Sequence, residues 1–504
     1  RTSTGQKFTR GSLAYERLRW PRRLMGGMMR SAVDVSKAAF VGGICLCVPS
    51  FTASVDKHGV RTPGILDHLA QTFGPGSFDA GKEESRFQHM LDSGCALGKR
   101  LHDLFMEMKR EVHDDEQWED LPKTSPFRHG PQGAGVVEGR VHPKPQHEFT
   151  EWRENERARA RLYALEMKTS TTGVHLNRQE AAYLSVNESS AVFVGVPALP
   201  NAIIDNITYR ECWSDYLGGE SPVCAPWSEH EFVHCNGKKT AKVGKYGDSV
   251  TCATLKGDTW RQRHDSFKWA CGDQAAWCRF ALHTEPMHKF LPFIKQRESF
   301  MKKKVRKRQG LVPDFLDVKN QRFMDVKTCT FGKRYAPARF RHAQRCDTVK
   351  KRQDEVHTKA FQKARDVDIE YNGWDPASGN PGPCQQRLQG FGRIKGFVVG
   401  AHGEFSPDLI DFVHMLAKQG SKTRFRDMGF DSPLAAYSTV KHQVLLALGI
   451  EAVKGAARLK IDKLGIALAG HESNSAGATR RAASKAAHNA QTDAYQSRHC
   501  FYDI

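Results

Sequence analysis

The stretch that decides the fold of this chain is Val312-Pro313-Asp314-Phe315-Leu316-Asp317-Val318-Lys319-Asn320-Gln321-Arg322-Phe323-Met324-Asp325-Val326-Lys327. Residues 311–316 are apolar apart from one proline and one carboxylate, and residues 323–331 largely alternate apolar and polar side chains. Alternation of β-favouring residues predicts strands, and the polar segment 319–322 between them predicts a turn. The stretch therefore predicts a β-hairpin.

Such a hairpin brings three chemically active side chains together. Side chains alternate with period two, so Asp325 and Lys327 share a face, and Asp314 on the partner strand can join them. Two carboxylates so close are unfavourable unless a cation lies between them. The sequence predicts a Mg²⁺ (or Mn²⁺) site at Asp314 and Asp325, with Lys327 placed to orient a bound water. The alternative is a pair of solvated hairpin charges.

The charge of the chain is concentrated around this hairpin. The 504 residues carry a net charge of +20 and only 39% are hydrophobic. Residues 291–365 hold 22 Lys and Arg against 7 Asp and Glu, a surplus of 15. A basic surface around a carboxylate cluster favours a polyanionic partner such as nucleic acid.

Basic residues on both sides of the hairpin are candidates for binding a nucleic-acid backbone. The run at 302–308 has two other interpretations, a nuclear localisation signal and a solvated helix end. The segment 339–365 predicts a basic helix or helix pair. The candidate backbone contacts are Lys302, Lys303, Lys304, Arg306, Lys307, Arg308, Arg345, Lys351 and Arg352.

A region rich in Cys and His, residues 190–262, precedes the hairpin. Zn²⁺ prefers thiolate and imidazole ligands, and a helix would place His230 and His234 on one face. No Cys-x-x-Cys pair accompanies them, so a degenerate zinc knuckle and a set of loop histidines with free thiols both stay open. The candidate zinc ligands are Cys235, Cys252, His230 and His234.

The remaining segments predict a mixed α/β (α+β) core between helical regions. We expect a helix from Arg263 to about Leu282, a buried strand over 393–400 and a helix that starts at Ser406-Pro407. Glu285 is a further candidate acid for the metal site, with an ordinary surface glutamate as the alternative. The expected organisation is a helical region at 1–105, a linker at 106–160, the core at 263–420, a helical extension at 421–468 and a disordered tail at 469–504.

The composition also bears on location. The 13 Cys are scattered and odd in number, which favours a reducing compartment. The longest apolar run, residues 38–51, is too short to span a bilayer, so no membrane partner is expected. The chain begins with Arg1, which we interpret as a piece of a longer product.

Pro313-Asp314 followed by Asp325-Val326-Lys327 resembles the core motif of the restriction-like PD-(D/E)xK nucleases. The flanking order resembles the region downstream of the reverse transcriptase in site-specific non-LTR retrotransposons. The pieces that carry this second resemblance are Gly26-Gly27-Met28-Met29-Arg30-Ser31-Ala32, Gly247-Asp248-Ser249-Val250-Thr251-Cys252, Arg263-His264-Asp265, Glu285-Pro286 and Val399-Gly400-Ala401-His402-Gly403-Glu404.

The resemblance implies a restriction-endonuclease-like core in which Asp314, Asp325 and Lys327 are catalytic. It implies a nuclear, mobile-element protein that nicks DNA by phosphodiester hydrolysis, frees a 3′-hydroxyl for copying, and has element RNA as a second partner. This chain departs from the pattern at Ser249, where the family knuckle has a His, and lacks the first Cys pair. It contains no Tyr-x-Asp-Asp polymerase motif, so a reverse transcriptase would precede Arg1.

Two rival functions remain from the sequence. One is a catalytically inactive nucleic-acid-binding protein on the same scaffold. The departures from the knuckle pattern, Ser249 in place of a His and the missing first Cys pair, favour it. The other is a basic host nuclear protein in which the Asp-x-Lys pattern is a chance occurrence.

A second copy of the Asp-x-Lys pattern, Asp317-Val318-Lys319, lacks a preceding Pro-Asp at hairpin distance and is not a candidate site.

Overall fold

The chain folds as a mixture of helices and small sheets, as the α+β prediction requires. The computed structural model describes residues 12–20, 25–27, 35–40, 103–104, 106–108, 110, 145–169, 176–194, 204–235, 240–255, 257–302, 311–332, 335–337 and 347–469, with short strands at 54–55, 61–62, 136–137 and 140–141. Within these ranges no helix is both long and apolar enough to cross a membrane.

The chain divides into two compact units, one formed by residues 15–165 and the other by residues 1–14 and 166–504. The smaller unit contains most of helix α1 (Leu13–Arg19) and of helix α2 (Pro145–Thr169). It also contains two antiparallel two-stranded ribbons, β1 (Ser54–Val55) with β2 (Arg61–Thr62), and β3 (Val136–Val137) with β4 (Arg140–Val141).

The predicted linker at 106–160 is wrong at its C-terminal end, because helix α2 begins at Pro145. The charged sequence supports a helix because side-chain pairs form at helical spacing, as in Arg159 with Glu156 (2.9 Å) and the His147 ring with Glu151 (3.1 Å). Most of the predicted helical region 1–105 lies outside the described residues.

The larger unit is built around a four-stranded mixed sheet. Its strands are β7 (Leu282–Thr284), β8 (Phe315–Asp317), β9 (Arg322–Thr328) and β10 (Lys395–Val399), in the order β10-β9-β8-β7. The β7–β8 and β8–β9 pairs are antiparallel, and β9 and β10 are parallel. The hairpin and the buried strand expected from the sequence are both confirmed.

Asp317 closes the hairpin turn. Its Oδ1 accepts hydrogen bonds from the backbone N–H groups of Lys319 (3.0 Å) and Asn320 (3.1 Å), and its Oδ2 accepts from the Asn320 side chain (2.6 Å). This local bonding is the reason that an Asp begins the turn. The second Asp-x-Lys copy is therefore a turn, with Lys319 exposed to solvent.

Helices cover both faces of the sheet. Helix α9 (Thr348–Asn372), the predicted basic helix, packs on the face of Leu316 and Phe323 through apolar residues that include Val356 and Ala360. On the other face, helix α7 (Thr259–Trp277) packs on β7 and β9. Helix α11 (Pro407–Arg424) packs there too, with the Phe397 and Phe412 rings 4.6 Å apart. The catalytic candidates thus lie on a sheet between two helical layers.

The predicted helix from Arg263 to Leu282 was wrong at both ends. Helix α7 begins four residues earlier, at Thr259, and ends at Trp277. Arg279 has a φ of +52°, a left-handed conformation that cannot continue an α-helix. The chain then turns, and Leu282 becomes the first residue of strand β7.

The helix predicted at Ser406-Pro407 is confirmed, but the serine hydroxyl does not cap it. The Ser406 Oγ accepts from the N–H of Val398 (3.0 Å) and donates to the carbonyl of Gly396 (2.8 Å). The hydroxyl therefore ties the helix start to strand β10 instead of satisfying the helix N–H groups.

The helical extension expected at 421–468 is part of the packed interior. Helix α12 (Pro433–Ala469) packs against α11, α7 and α5 (Asn206–Leu217), with apolar residues such as Val440 and Leu448 fully buried. The larger unit also contains the α-helices α3 (Arg178–Ser185), α4 (Glu188–Ala191), α6 (Asp248–Cys252), α8 (Arg297–Lys302) and α10 (Pro383–Gln389). Apart from its first residue, the predicted tail 469–504 lies outside the described residues.

The Cys/His-rich region contains a small hairpin, β5 (Glu231–Val233) with β6 (Thr240–Lys242), followed by α6. An apolar cluster holds it together, with Phe232, Val243 and Val250 buried against Leu464 of α12. Lys463 of α12 donates to the carbonyls of Thr251 (2.6 Å) and Ala253 (2.8 Å) at the end of α6.

Candidate active site

The two candidate carboxylates face each other across the hairpin. Phe315 pairs with Met324, so the antiparallel register, continued by one residue, sets Asp314 opposite Asp325. Cβ atoms at such positions are about 5 Å apart. Lys327 shares the face of Asp325 and forms an ion pair with it. The sequence-predicted trio Asp314, Asp325 and Lys327 is thus brought together.

The Asp314 carboxylate is buried and has several partners. Its Oδ2 accepts a hydrogen bond from the backbone N–H of Val326 (2.7 Å) and lies 3.3 Å from the Nε2 of His264. Its Oδ1 lies 3.9 Å from the Nζ of Lys268. Burial raises the pKa of Asp314, but the hydrogen bond and charge of His264, with Lys268 and Lys327, outweigh burial and hold that pKa well below its usual range. Asp314 is therefore a carboxylate at neutral pH.

Asp325 has the opposite balance. Burial is the main cause that raises the pKa of Asp325, to about 6. The positive charge of Lys327 opposes this rise, and the negative charge of Asp314 adds to it. The two acids thus differ because Asp314 has donors on two sides, whereas among the described residues Asp325 has an ion pair with Lys327 and a weaker attraction from His264. A cation between them would remove the repulsion that contributes to the raised pKa.

Lys327 remains an ammonium group. Burial lowers its pKa, but the attractions of Asp325 and Asp314 outweigh burial and the repulsion of Arg352, so the pKa lies above its usual value. Lys327 can therefore offset negative charge or donate a hydrogen bond, and it cannot act as a base in this state.

Helix α7 adds three side chains that the sequence analysis did not assign to the site. His264 and Asp265 lie beside Asp314, with the His264 Nδ1 3.0 Å from the Asp265 Oδ1, and Lys268 lies one turn further along. Burial lowers the pKa of His264, but the hydrogen bonds to Asp265 and Asp314 outweigh burial and raise that pKa to about 9. The signal available in sequence was the Arg-His-Asp triplet with a Lys at helical spacing from it.

Arg263, the first residue of that triplet, holds two parallel strands at their ends. Its guanidinium donates to the carbonyl of Cys329 just after β9 (2.9 Å) and to that of Gly400 just after β10 (3.1 Å). The side chain is buried, so these bonds satisfy donors that water cannot reach. Arg263 thereby fixes the strand that carries Asp325 and Lys327.

Glu285 lies next to the site, as predicted, but its carboxylate is bound by a lysine. Its N–H donates to the carbonyl of Asp314 (2.8 Å), and its Oε1 accepts from the Nζ of Lys268 at 2.6 Å. The side chain is 62% exposed, and the residue has a φ of +46°. Glu285 can therefore reach a cation only if the bond to Lys268 breaks.

The donors present fit Mg²⁺ or Mn²⁺. Among the residues that the structure describes, no three His, Cys, Asp or Glu side chains form a group arranged to hold a metal ion. Mg²⁺ needs only one or two carboxylates, because waters and substrate phosphates complete its shell. The facing pair Asp314 and Asp325 matches that requirement.

The four candidate zinc ligands are distributed over the β5–β6 hairpin and α6. His230 and His234 flank strand β5, so the helix that would align them is absent there, and the His234 ring stacks on Phe232. Cys235 is exposed, and the Cys252 thiol donates to the carbonyl of Phe331 at 3.0 Å. The Ser249 hydroxyl accepts from the Gly244 N–H at 2.8 Å. The zinc site stays a prediction.

Three of the candidate backbone contacts lie in the part of the chain that the structure describes. Lys302 ends α8, and Lys351 and Arg352 lie in the second turn of α9; all three are exposed. Arg352 is close enough to Lys327 to oppose its protonation. The others, Lys303, Lys304, Arg306, Lys307, Arg308 and Arg345, lie outside the described residues.

Comparison with protein-family models, with curated proteins and with solved structures finds no match for this chain.

Proposed function

We propose that this chain is a metal-dependent endonuclease that nicks DNA by phosphodiester hydrolysis. The observation that carries the proposal is the convergence of Asp314, Asp325 and Lys327 on one face of the β8–β9 hairpin. Two facing carboxylates with a lysine beside them are the donor set that phosphoryl chemistry at a divalent cation uses.

The order of elements supports a restriction-like core. Helix α7, the β8–β9 hairpin, helix α9, strand β10 and helix α11 come in this order along the chain, with β7, α8 and α10 between them, and the order is close to the one that this nuclease core needs. The parallel pairing of β10 with β9 sets Gly396 beside Asp325 and Val398 beside Lys327. The site thus lies on an inner strand, supported on both sides.

The roles of the side chains follow from their environment. Asp314 and Asp325 would hold Mg²⁺ or Mn²⁺, and the chemistry that the bound ion supplies is activation of a water and neutralisation of a phosphate oxygen. Lys327 offsets the charge that develops on the phosphate and orients the water. Water oxygen forms the new bond to phosphorus and the P–O3′ bond breaks, which leaves a 5′-phosphate and a protonated 3′-hydroxyl.

The proposal includes the biological setting implied by the sequence resemblance. A nick that frees a 3′-hydroxyl suits a mobile element that copies itself into DNA, and element RNA is then a second partner. The exposed Lys351 and Arg352 on α9, beside the catalytic face, support contact with a polyanionic backbone.

Plasmid nicking with Mg²⁺ against EDTA tests the proposal. Asp325→Ala and Lys327→Ala should each lower the nicking rate by roughly 100-fold or more, because each removes a group that acts on the reacting phosphate. Lys319→Ala is the matched control, since it removes the lysine of the other Asp-x-Lys copy, which lies exposed in the hairpin turn. Equal nicking by wild type, Asp325→Ala and Lys327→Ala would contradict the proposal.

A second candidate is a catalytically inactive nucleic-acid-binding protein on the same scaffold. It is favoured by the ion pairs Lys327–Asp325 and Lys268–Glu285, which give the acids of this region cationic partners within the chain. This candidate predicts DNA or RNA binding that weakens steeply with salt, shows no dependence on Mg²⁺, and is not accompanied by nicking.

A further inference from the structure

His264 lies at the centre of the contacts that orient the hairpin acids. Its Nε2 is 3.0 Å from the carbonyl oxygen of Val326 and 3.3 Å from the Oδ2 of Asp314. Its Nδ1 is 3.0 Å from the Oδ1 of Asp265. Both ring nitrogens therefore face oxygen acceptors, and the ring is placed as a donor on both sides.

These contacts leave the two oxygens of Asp314 in different situations. The Oδ2 accepts from the Val326 N–H at 2.7 Å and also faces His264. The Oδ1 faces the Lys268 ammonium at 3.9 Å, beyond hydrogen-bonding distance. Among the described residues, Oδ1 therefore has the longer ion pair with Lys268 and no shorter contact, so it is the oxygen that can accept a cation while Oδ2 keeps its hydrogen bond.

Val326 is the second partner of His264, and it lies between Asp325 and Lys327 in strand β9. The Val326 N–H donates to Asp314, and the Val326 carbonyl faces the His264 ring. The His264 ring also faces Asp314, so the three residues contact one another in pairs. A change at His264 would therefore move Asp314 relative to the strand that carries the other two active side chains.

We propose that His264 is a positioning residue for the metal site, which fixes Asp314 against β9 so that Oδ1 is the oxygen available to a divalent cation. The proposal rests on the proposed function, because it assumes that Asp314 and Asp325 hold the ion. Asp265 orients the ring and is itself held by Arg261 (3.5 Å) and Lys268 (3.9 Å). His264 acts through Asp314 and is not itself a ligand.

The test uses the full chain and three variants, with Mn²⁺ as the probe ion. His264→Gln keeps a side-chain donor, His264→Ala removes it, and His283→Ala is the matched control, since His283 is an exposed histidine on strand β7. Three quantities are measured: amide exchange of peptides covering 322–328 in the metal-free protein, the affinity for Mn²⁺, and plasmid nicking.

His264→Ala should speed amide exchange in 322–328 without metal and weaken Mn²⁺ binding by about 10- to 100-fold, the usual effect of losing a group that orients a metal ligand. His264→Gln should recover most of both losses, and His283→Ala should match wild type. Unchanged exchange and affinity in His264→Ala would overturn the proposal.

Two further results separate this proposal from its rivals. Loss of Mn²⁺ binding in both His264 variants, with amide exchange of 322–328 unchanged, would overturn the proposal, because that result would identify His264 as a metal ligand. If wild type binds Mn²⁺ but does not nick DNA, the proposed function fails, while faster exchange and weaker Mn²⁺ binding in His264→Ala, recovered in His264→Gln, still support the positioning role.

Discussion

At the scale of single residues, the number of donors decides what each buried acid does. Asp314 and Asp325 face each other and are both buried, yet the pKa of Asp314 is lowered and that of Asp325 is raised to about 6. Asp314 is stabilised by His264, Lys268 and the Val326 N–H. Among the described residues, Asp325 has an ion pair with Lys327 and a weaker attraction from His264. The pair therefore contains one permanent carboxylate and one whose charge depends on its surroundings.

Glu404, in the turn after β10, is another buried acid and provides a test by pH. Burial raises its pKa from the usual 4.5 to about 7, against hydrogen bonds from Tyr335 and the His402 N–H. Because the folded state holds the proton more tightly than the unfolded state, this group stabilises the fold at low pH. That stability is lost as the pH rises from about 4.5 through 7.

Glu404→Gln should therefore lose less stability than wild type between pH 5 and pH 8. The difference between the two proteins in free energy of unfolding should change by about 2–3 kcal/mol over this interval. Denaturant unfolding at the two pH values checks it. A difference that is constant with pH would contradict the raised pKa, whatever the cost of the substitution itself.

At the scale of elements, close approach of α9 to β10 positions the catalytic strand. Gly396 lies beside Asp325 in the parallel pair, and a Cβ there would lie 2.9 Å from the backbone of Gln353 in α9. No side chain fits, so the glycine lets the helix lie directly on the sheet. This contact brings Arg352, the residue before Gln353, close to the sheet face that carries Lys327.

Gly396→Ala should destabilise the protein by about 1–3 kcal/mol, because the added methyl group forces the helix and the strand apart. Gly465→Ala is the matched comparison, since Gly465 lies within α12 with open space at its Cβ position. That second substitution should stabilise by about 0.5–1 kcal/mol through helix propensity. Thermal or urea unfolding measures both, and effects of the same sign would contradict the packing described.

At the scale of the larger unit, helix α12 ties the helical part together through a buried ion network. The Lys460 ammonium donates to Glu211 and to Asp215 of α5, each at 2.6 Å, and Arg178 of α3 lies 3.1 Å from Asp215. Burial lowers the pKa of Lys460, but the two carboxylates outweigh it and raise that pKa to about 12. The lysine is therefore charged at all ordinary pH values.

Lys460→Met should cost about 3–5 kcal/mol of stability, because it leaves two carboxylates buried without their main cation. Lys454→Ala is the control on the same helix, since among the described residues Lys454 pairs with one acid, Glu451 (3.2 Å), nearer the surface. It should cost at most about 1 kcal/mol. Denaturant unfolding checks the pair, and a cost below that of Lys454→Ala would show that the network does not hold the helices.

The local features of this protein follow from short-range patterns in its amino-acid sequence. The hairpin, the shared face of Asp325 and Lys327, the buried strand β10 and the start of α11 depend on side-chain period and on turn or cap chemistry over a few residues. The surroundings of these features depend instead on packing between elements that are distant in sequence. His264 lies 62 residues from Val326 in sequence, and Arg263 lies 137 residues from Gly400, so no local pattern relates them. The donors around Asp314, the lysine on Glu285 and the pKa of Asp325 all come from such distant pairs, because burial and charge depend on which elements pack together.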